Sequence, residues 1–210
     1  MISEEDYIEQ HSEQEPFYLQ QIYRTAHVRL LNARMMSGAL QGRLLKIFCQ
    51  MIQPKNVLEI GTFIGYSTLC MAEGSCDANI HTIEIDDELE DLIRKNFTYA
   101  PFDTKNIVLH IGDALNIINK LINIKFDLVF IDGDKRQYLQ YYEAVLPLVG
   151  SGEFILVDNT LWNGKIFENV DINDFQTRAI INFNDFIAKD NRIEKIILPL
   201  RDGLTLIRKK

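Results

Sequence analysis

Residues 16–58 contain no aspartate or glutamate, although acids outnumber bases 30 to 22 in the 210-residue chain. The gap follows an acidic segment, Glu4, Glu5, Asp6, Glu9, Glu13 and Glu15, and it holds Arg24, Arg29, Arg34, Arg43, Lys46 and Lys55. Two readings fit: basic solvated helix faces, or a basic face beside an active site that meets an anionic substrate. Cysteine is sparse, with Cys49, Cys70 and Cys76 in no metal or disulfide spacing. This excludes a disulfide scaffold or a cysteine-rich zinc site and points to reduced thiols in a cytosolic protein. Only five prolines occur, with no low-complexity linker and no internal repeat, so a solenoid is excluded. No apolar run approaches the roughly 20 residues that span a bilayer. The opening MISEEDYIEQ has acids where a signal peptide needs bases. A cytoplasmic chain without membrane contact is expected. The net charge of −8 also argues against general polyanion binding, which needs clustered lysine and arginine.

One domain over residues 1–210 accounts for the length. Its first part, 1–52, reads as a helical extension, because Tyr7, Ile8, Phe17, Leu19, Ile22, Tyr23, Leu40, Leu44, Leu45, Ile47, Phe48 and Met51 recur at helical spacing. Pro54 ends it. The pattern then changes period over 53–210. Short apolar runs at 56–60, 79–85, 106–111, 126–131, 153–157, 193–198 and 204–207 alternate with stretches of helical character at 66–72, 87–98, 114–121 and 137–148. Such alternation predicts an α/β fold, a doubly wound and mostly parallel sheet of seven strands with helices on both faces. Asp202-Gly203 between the last two runs predicts an antiparallel C-terminal hairpin.

In sheets of this kind ligands bind beyond the carboxyl ends of the strands, so chemistry is sought where each run stops. The first run leads into VLEIGTFIGYS, where Gly61 and Gly65 permit a tight turn and Ser67 sits at a helix start. There is no G-x-G-x-x-G, which disfavours a nicotinamide dehydrogenase. The second run ends in HTIEID. Asp86 fits a helix cap, leaving Glu84 free to accept from ribose hydroxyls. Asp113, after Gly112, reads first as a cap. Asp132 closes the fourth run and Asp158-Asn159 closes the fifth. Two carboxylates and an amide oxygen on neighbouring strand ends are hard ligands suited to Mg²⁺, Mn²⁺ or Ca²⁺; acids at strand ends also commonly cap helices. Beside a dication the ammonium of Lys135 would be disfavoured, and its pKa is expected to fall far enough for it to serve as a base.

The stretches VLEIGTFIGYS, HTIEID, FDLVFIDGDKRQY, GEFILVDNTLWNGK and RDGLTLIRK, in this order and spacing, resemble the cation-dependent O-methyltransferases, the group containing the catechol and caffeoyl-CoA enzymes. The resemblance implies a Rossmann-like class I methyltransferase fold and S-adenosylmethionine as cofactor. It places Ser37, Glu59, Gly61, Thr62, Ser67, Glu84, Ala114 and Asp132 at the cofactor, Asp132, Asp158 and Asn159 at the metal, and Lys135 with Asp132 at the chemistry. The implied partner is a small catechol-like or phenolic hydroxyl compound, and family habit adds a homodimer. Catechol enzymes carry a tryptophan where this chain has Asp134, and DNTLWNG looks more like the caffeoyl-CoA side. The N-terminal part is also similar to bacterial enzymes that methylate 5-hydroxyuridine in tRNA; that alternative draws on the acid-free stretch and the Arg208-Lys209-Lys210 tail.

Overall fold

A computed structural model describes residues 2–30 and 36–210. Three helices come first: α1 (Glu4–Gln10), α2 (Phe17–Arg29) and α3 (Ala39–Ile52). The alternating part follows as β1 (Asn56–Ile60), α4 (Tyr66–Gly74), β2 (Asn79–Glu84), α5 (Glu90–Phe97), β3 (Ile107–Ile111), α6 (Ala114–Ile118), β4 (Phe126–Ile131), α7 (Tyr138–Val145), β5 (Val149–Val157), α8 (Phe175–Lys189), β6 (Ile193–Leu198) and β7 (Leu204–Lys209). Strand order is β3-β2-β1-β4-β5-β7-β6, parallel except that β7 runs antiparallel to both neighbours. The expected doubly wound sheet and terminal hairpin are both present. No described helix is long and apolar enough to cross a membrane.

The central strands are apolar throughout because they are covered on both faces, and their alternation divides the core in two. Leu128 and Phe130 of β4 join Val57 and Leu156 in a cluster with α2, α3 and α4; Val129 and Ile131 join Leu58, Ile60 and Val157 in a cluster with α6, α7 and α8. The N-terminal helices are thus built into the first core: Leu19, Ile22 and Leu45 are fully buried there.

Several boundaries differ from the sequence pattern, and one helix lies outside it. The fifth strand begins at Val149, four residues early: Val149 pairs with Phe126 and Phe154 with Leu128, and Gly150 and Gly152, which carry no apolar signal, lie in the register shift between them. Helix α6 stops at Ile118, three residues short of the expected end. Helix α8 has no counterpart in the sequence pattern. Ile180, Phe183 and Ile187 bury its inner face, and Asp174 caps it by accepting from the Thr177 N–H at 3.0 Å.

Candidate active site

The turn after β1 places the cofactor-side residues. Gly61 takes φ +101°, and its N–H and that of Thr62 both donate to the Ile83 carbonyl at 2.9 and 3.1 Å. Gly65, at φ +82°, precedes α4, and a Cβ there would lie 2.5 Å from Phe97 Cε1. Across the turn, Glu84 is less free than its position suggested. Its Oε2 accepts from the Phe63 N–H at 2.6 Å, and its Oε1 accepts from the Ile85 and Asp86 N–H groups at 2.9 and 3.0 Å. The carboxylate is therefore pre-aimed, with Oε2 the freer oxygen. Burial pushes its pKa up despite these donors. Asp86 and Asp113 cap the following helices, as expected, by accepting from the Glu88 and Asn116 N–H groups.

Glu59, which the resemblance places at the cofactor, is buried at the end of β1. It shares the inward face of β1 with Val57, is 0% exposed, and accepts from the hydroxyls of Ser67 (2.5 Å), Thr82 (2.6 Å) and Thr68. These three hydroxyls tie the carboxylate to α4 and β2 on either side of the turn. Ser67 spends its hydroxyl proton inward on Glu59, and Thr62 Oγ1 pairs with Thr82 Oγ1 at 2.5 Å. Ser37, 4% exposed, and Ala114, 7% exposed, border the same end of the sheet.

Burial raises the Glu59 pKa to about 7, over the opposing hydroxyl bonds and with a further push from Asp132. The folded chain therefore holds this proton more tightly than the unfolded chain, and the Glu59 contribution to stability falls as pH rises from about 4.5 to about 7. His81 and His110, both lowered by burial, act in the opposite sense, so the isolating measurement is a difference. Between pH 5 and 7.5 the unfolding free energy of the wild type should fall relative to Glu59→Gln by roughly 3 kcal/mol. A pH-independent difference would show that the carboxylate is not held protonated.

The second half of the site lies on β4 and β5. Phe130 pairs with Leu156 and Ile131 with Val157, and the next residues, Asp132 and Asp158, continue on adjacent strands about 4.8 Å apart. Alternation from Phe130 and Leu156 turns both carboxylates toward the α3 face. Asp158 is 3% exposed. Burial, then the charge of Asp132, raises its pKa to about 6. Its Oδ1 accepts from the Asn159 N–H at 2.8 Å and its Oδ2 from Gln41 Nε2 at 2.7 Å. Asn159 itself is left-handed at φ +56°, and further left-handed residues, Trp162, Asn163 and Gly164, follow it. Among the described residues no three His, Cys, Asp or Glu side chains form a metal cage; the strand-end set is two carboxylates and an amide.

Lys135 Nζ donates to Asp132 Oδ1 at 2.6 Å and lies 5.1 Å from the Tyr138 ring centroid. Burial favours the neutral amine, but the charge and hydrogen bond of Asp132, together with Tyr138, outweigh it and hold the lysine above its ordinary pKa. The expected fall is thus absent while Asp132 serves only as its counter-ion. Asp134 accepts from the Arg136 N–H, starting the turn that presents Lys135. Three contributors were not read from the sequence: Gln41, Arg201, whose guanidinium donates to Gln41 Oε1, and Tyr138, whose hydroxyl donates to the Asp158 carbonyl. Only α7 and its aromatic spacing hinted at the last.

The basic stretch resolves differently from either simple reading. Arg43 is 3% exposed and pairs with Glu73 at 2.8 Å, while Lys46 pairs with Glu13 at 2.5 Å and Glu73 at 3.2 Å. Near the C-terminus Arg208 pairs with Glu194, and Lys209 donates to the Leu146 and Val149 carbonyls. These cations join elements of the fold, which removes much of the basic surface behind a tRNA substrate. Arg24, Arg29 and Lys55 are exposed, and Arg34 lies outside the described residues.

Comparison with known proteins agrees with this geometry. A family model described as O-methyltransferase matches residues 9–210. Caffeoyl-CoA O-methyltransferase 1 of Eucalyptus globulus is 34% identical over 189 residues, covering 83% of this chain and 75% of that protein. The SAH-bound methyltransferase PaMTH1 of Podospora anserina superposes with a TM-score of 0.89 at 30% identity, over 98% of this chain and 93% of that one. An O-methyltransferase of Bacillus cereus, in complex with SAH, gives 0.88 at 28% identity, over 97% and 96%. The chain belongs to the O-methyltransferase family.

Proposed function

We propose that the chain transfers a methyl group from S-adenosylmethionine to a hydroxyl of a small catechol-like or phenolic compound held by a divalent cation. The carrying observation is the placement of Asp132 and Asp158 on register-paired strand ends, with Lys135 2.6 Å from Asp132. Burial, and then the like charge of Asp132, raise the Asp158 pKa, and a dication would relieve the repulsion. The donor set fits a hard cation such as Mg²⁺, Mn²⁺ or Ca²⁺. Asp132, Asp158 and the Asn159 amide would hold it, and when bound it supplies the Lewis acidity that lowers the pKa of a hydroxyl.

On the cofactor side, the Gly61 turn with Thr62 and Ser67 would receive the methionine end, Glu84 Oε2 the ribose, and Ser37, Ala114 and Asp132 further contacts. Glu59 acts through the turn. S-adenosylmethionine, when bound, supplies an electrophilic methyl group. The share of the chain in the rate is positioning, which carries much of the barrier in two-substrate reactions. Lys135 sits where it can take the hydroxyl proton. Engaging the Asp132 charge elsewhere would remove one of the influences that hold the amine protonated, and burial favours its neutral form.

A methyl-transfer screen of catechols, phenylpropanoid-CoA esters and undermodified tRNA, each with Mg²⁺ and with EDTA, tests the proposal. Turnover of a phenolic compound that EDTA abolishes is expected; full activity in EDTA sinks the metal half, and methylation of tRNA alone sinks the substrate class. Glu84→Ala should weaken S-adenosylmethionine binding roughly tenfold or more, as loss of a hydrogen bond to a charged group does. An unchanged dissociation constant by calorimetry removes Glu84 from the ribose.

A further inference from the structure

Arg201 occupies the β6–β7 turn at φ +50°, a left-handed conformation that glycine adopts without strain and arginine does not. Strained residues of this kind persist where their surroundings hold them, and the contacts of Arg201 show what does. Its Nη1 donates to Gln41 Oε1 at 3.1 Å, and Nη1 and Nη2 both reach the Met36 carbonyl, at 3.3 and 3.4 Å. The guanidinium lies against Gly38, whose missing side chain leaves 3.6 Å between Nη1 and the Cβ position. Gln41, 1% exposed, then donates from Nε2 to Asp158 Oδ2 at 2.7 Å.

The chemistry of this chain of contacts has one direction. Arginine can only donate and a carboxylate can only accept, so an amide between them must turn its oxygen to Arg201 and its NH₂ to Asp158. Without Arg201 the amide can flip and set its oxygen against the carboxylate. Gln41 also adds no charge, so it orients Asp158 without neutralising it. A lysine or arginine at the same place would compete for the charge a cation needs.

We propose that Arg201 and Gln41 form a positioning relay that fixes the Asp158 carboxylate for cation binding. The relay rests on the metal reading above. It crosses the fold from the β6–β7 turn through the start of α3 to the end of β5, elements that no local motif connects.

The test is Mn²⁺ binding to the ligand-free chain, followed by electron paramagnetic resonance of the free ion at a temperature well below unfolding. Asp158→Ala should abolish binding. Gln41→Leu should weaken it at least tenfold and leave S-adenosylmethionine affinity within twofold, since the Met36 contact survives. Arg201→Gly, which relieves the backbone, should weaken Mn²⁺ three- to tenfold without lowering the melting temperature, and Arg201→Lys should recover part of the loss. Unchanged Mn²⁺ affinity in Gln41→Leu overturns the relay while Asp158→Ala still loses the ion; a lower melting temperature with unchanged affinity also overturns it, by assigning Gln41 to packing. A wild-type chain that takes up no Mn²⁺ overturns the metal reading and the relay with it.

Discussion

Replacing Gly61 with alanine should cost the chain roughly 3–5 kcal/mol of stability, combining positive-φ strain with overpacking, and should abolish S-adenosylmethionine binding. The added Cβ would stand 2.4 Å from the Asp132 carbonyl oxygen and 2.7 Å from its carbon. Both partners are backbone, so no side chain can rotate away. Relief requires the ends of β1 and β4 to separate, which strains the Asp132 N–H bond to the Ile60 carbonyl at 2.8 Å and the Gly61 N–H bond to Ile83. The same displacement moves Asp132 and the turn above Glu59, disturbing both halves of the site at once. Denaturant unfolding and titration calorimetry measure the two effects. A variant within 1 kcal/mol of wild type, binding normally, would mean that the contact yields easily.

Substituting Asp158 should produce the opposite pairing of effects. With Asp158→Asn, cation-dependent turnover should drop at least roughly a hundredfold, because a lost ligand removes several kcal/mol of transition-state stabilisation. S-adenosylmethionine affinity should stay within a few-fold. Stability near pH 7.5 should hold or rise. Burial and Asp132 raise the carboxyl of Asp158 from 3.8 to about 6, so above that range the fold carries a charge that it disfavours; the cost grows as pH rises from about 4 to about 6 and is complete at neutrality. Removing the charge removes the cost, while the amide keeps an acceptor for Gln41. A stable but inactive variant marks a residue kept for function at the expense of stability. Retained turnover with Mg²⁺ would exclude Asp158 as a ligand; a melting temperature several degrees lower would assign it a structural role.

The strand ends were legible because both levels of the pattern agree there. β1, β4 and β6 occupy the residues of the apolar runs, and Glu84, Asp132, Asp158 and Asn159 stand where those runs stop. Strand parity also put Glu59 on the same face of β1 as Val57, the face covered by α3 and α4. Charge pairing was harder to read. Arg43 and Lys46 look unpaired along the chain because their partners, Glu13 and Glu73, lie outside the acid-free stretch and meet them only in three dimensions. Helix α8 follows a long irregular loop, and its apolar residues do not keep to one face: Phe175 and Phe186 are exposed beside the buried Ile180, Phe183 and Ile187. Gln41 belongs to no quoted stretch and Arg201 only opens RDGLTLIRK, where nothing pointed to a partner; a contact between residues 160 positions apart leaves no trace in local spacing.

The loop that follows Asp158 and Asn159 rests on the β6–β7 turn. Thr160 N–H donates to the Gly203 carbonyl at 3.0 Å, the Leu161 and Trp162 N–H groups donate to the Asp202 carbonyl, and a Cβ on Gly203 would fall 2.7 Å from Leu161 N. During synthesis, residues 158–162 leave the ribosome more than forty positions ahead of this support. The turn between β1 and α4 draws on residues close in sequence, whereas the loop after Asp158 and Asn159 has no floor until the last hairpin arrives. A chain that lacks the last hairpin would lack the Asp202 and Gly203 carbonyls that hold residues 160–162 beside Asp158 and Asn159.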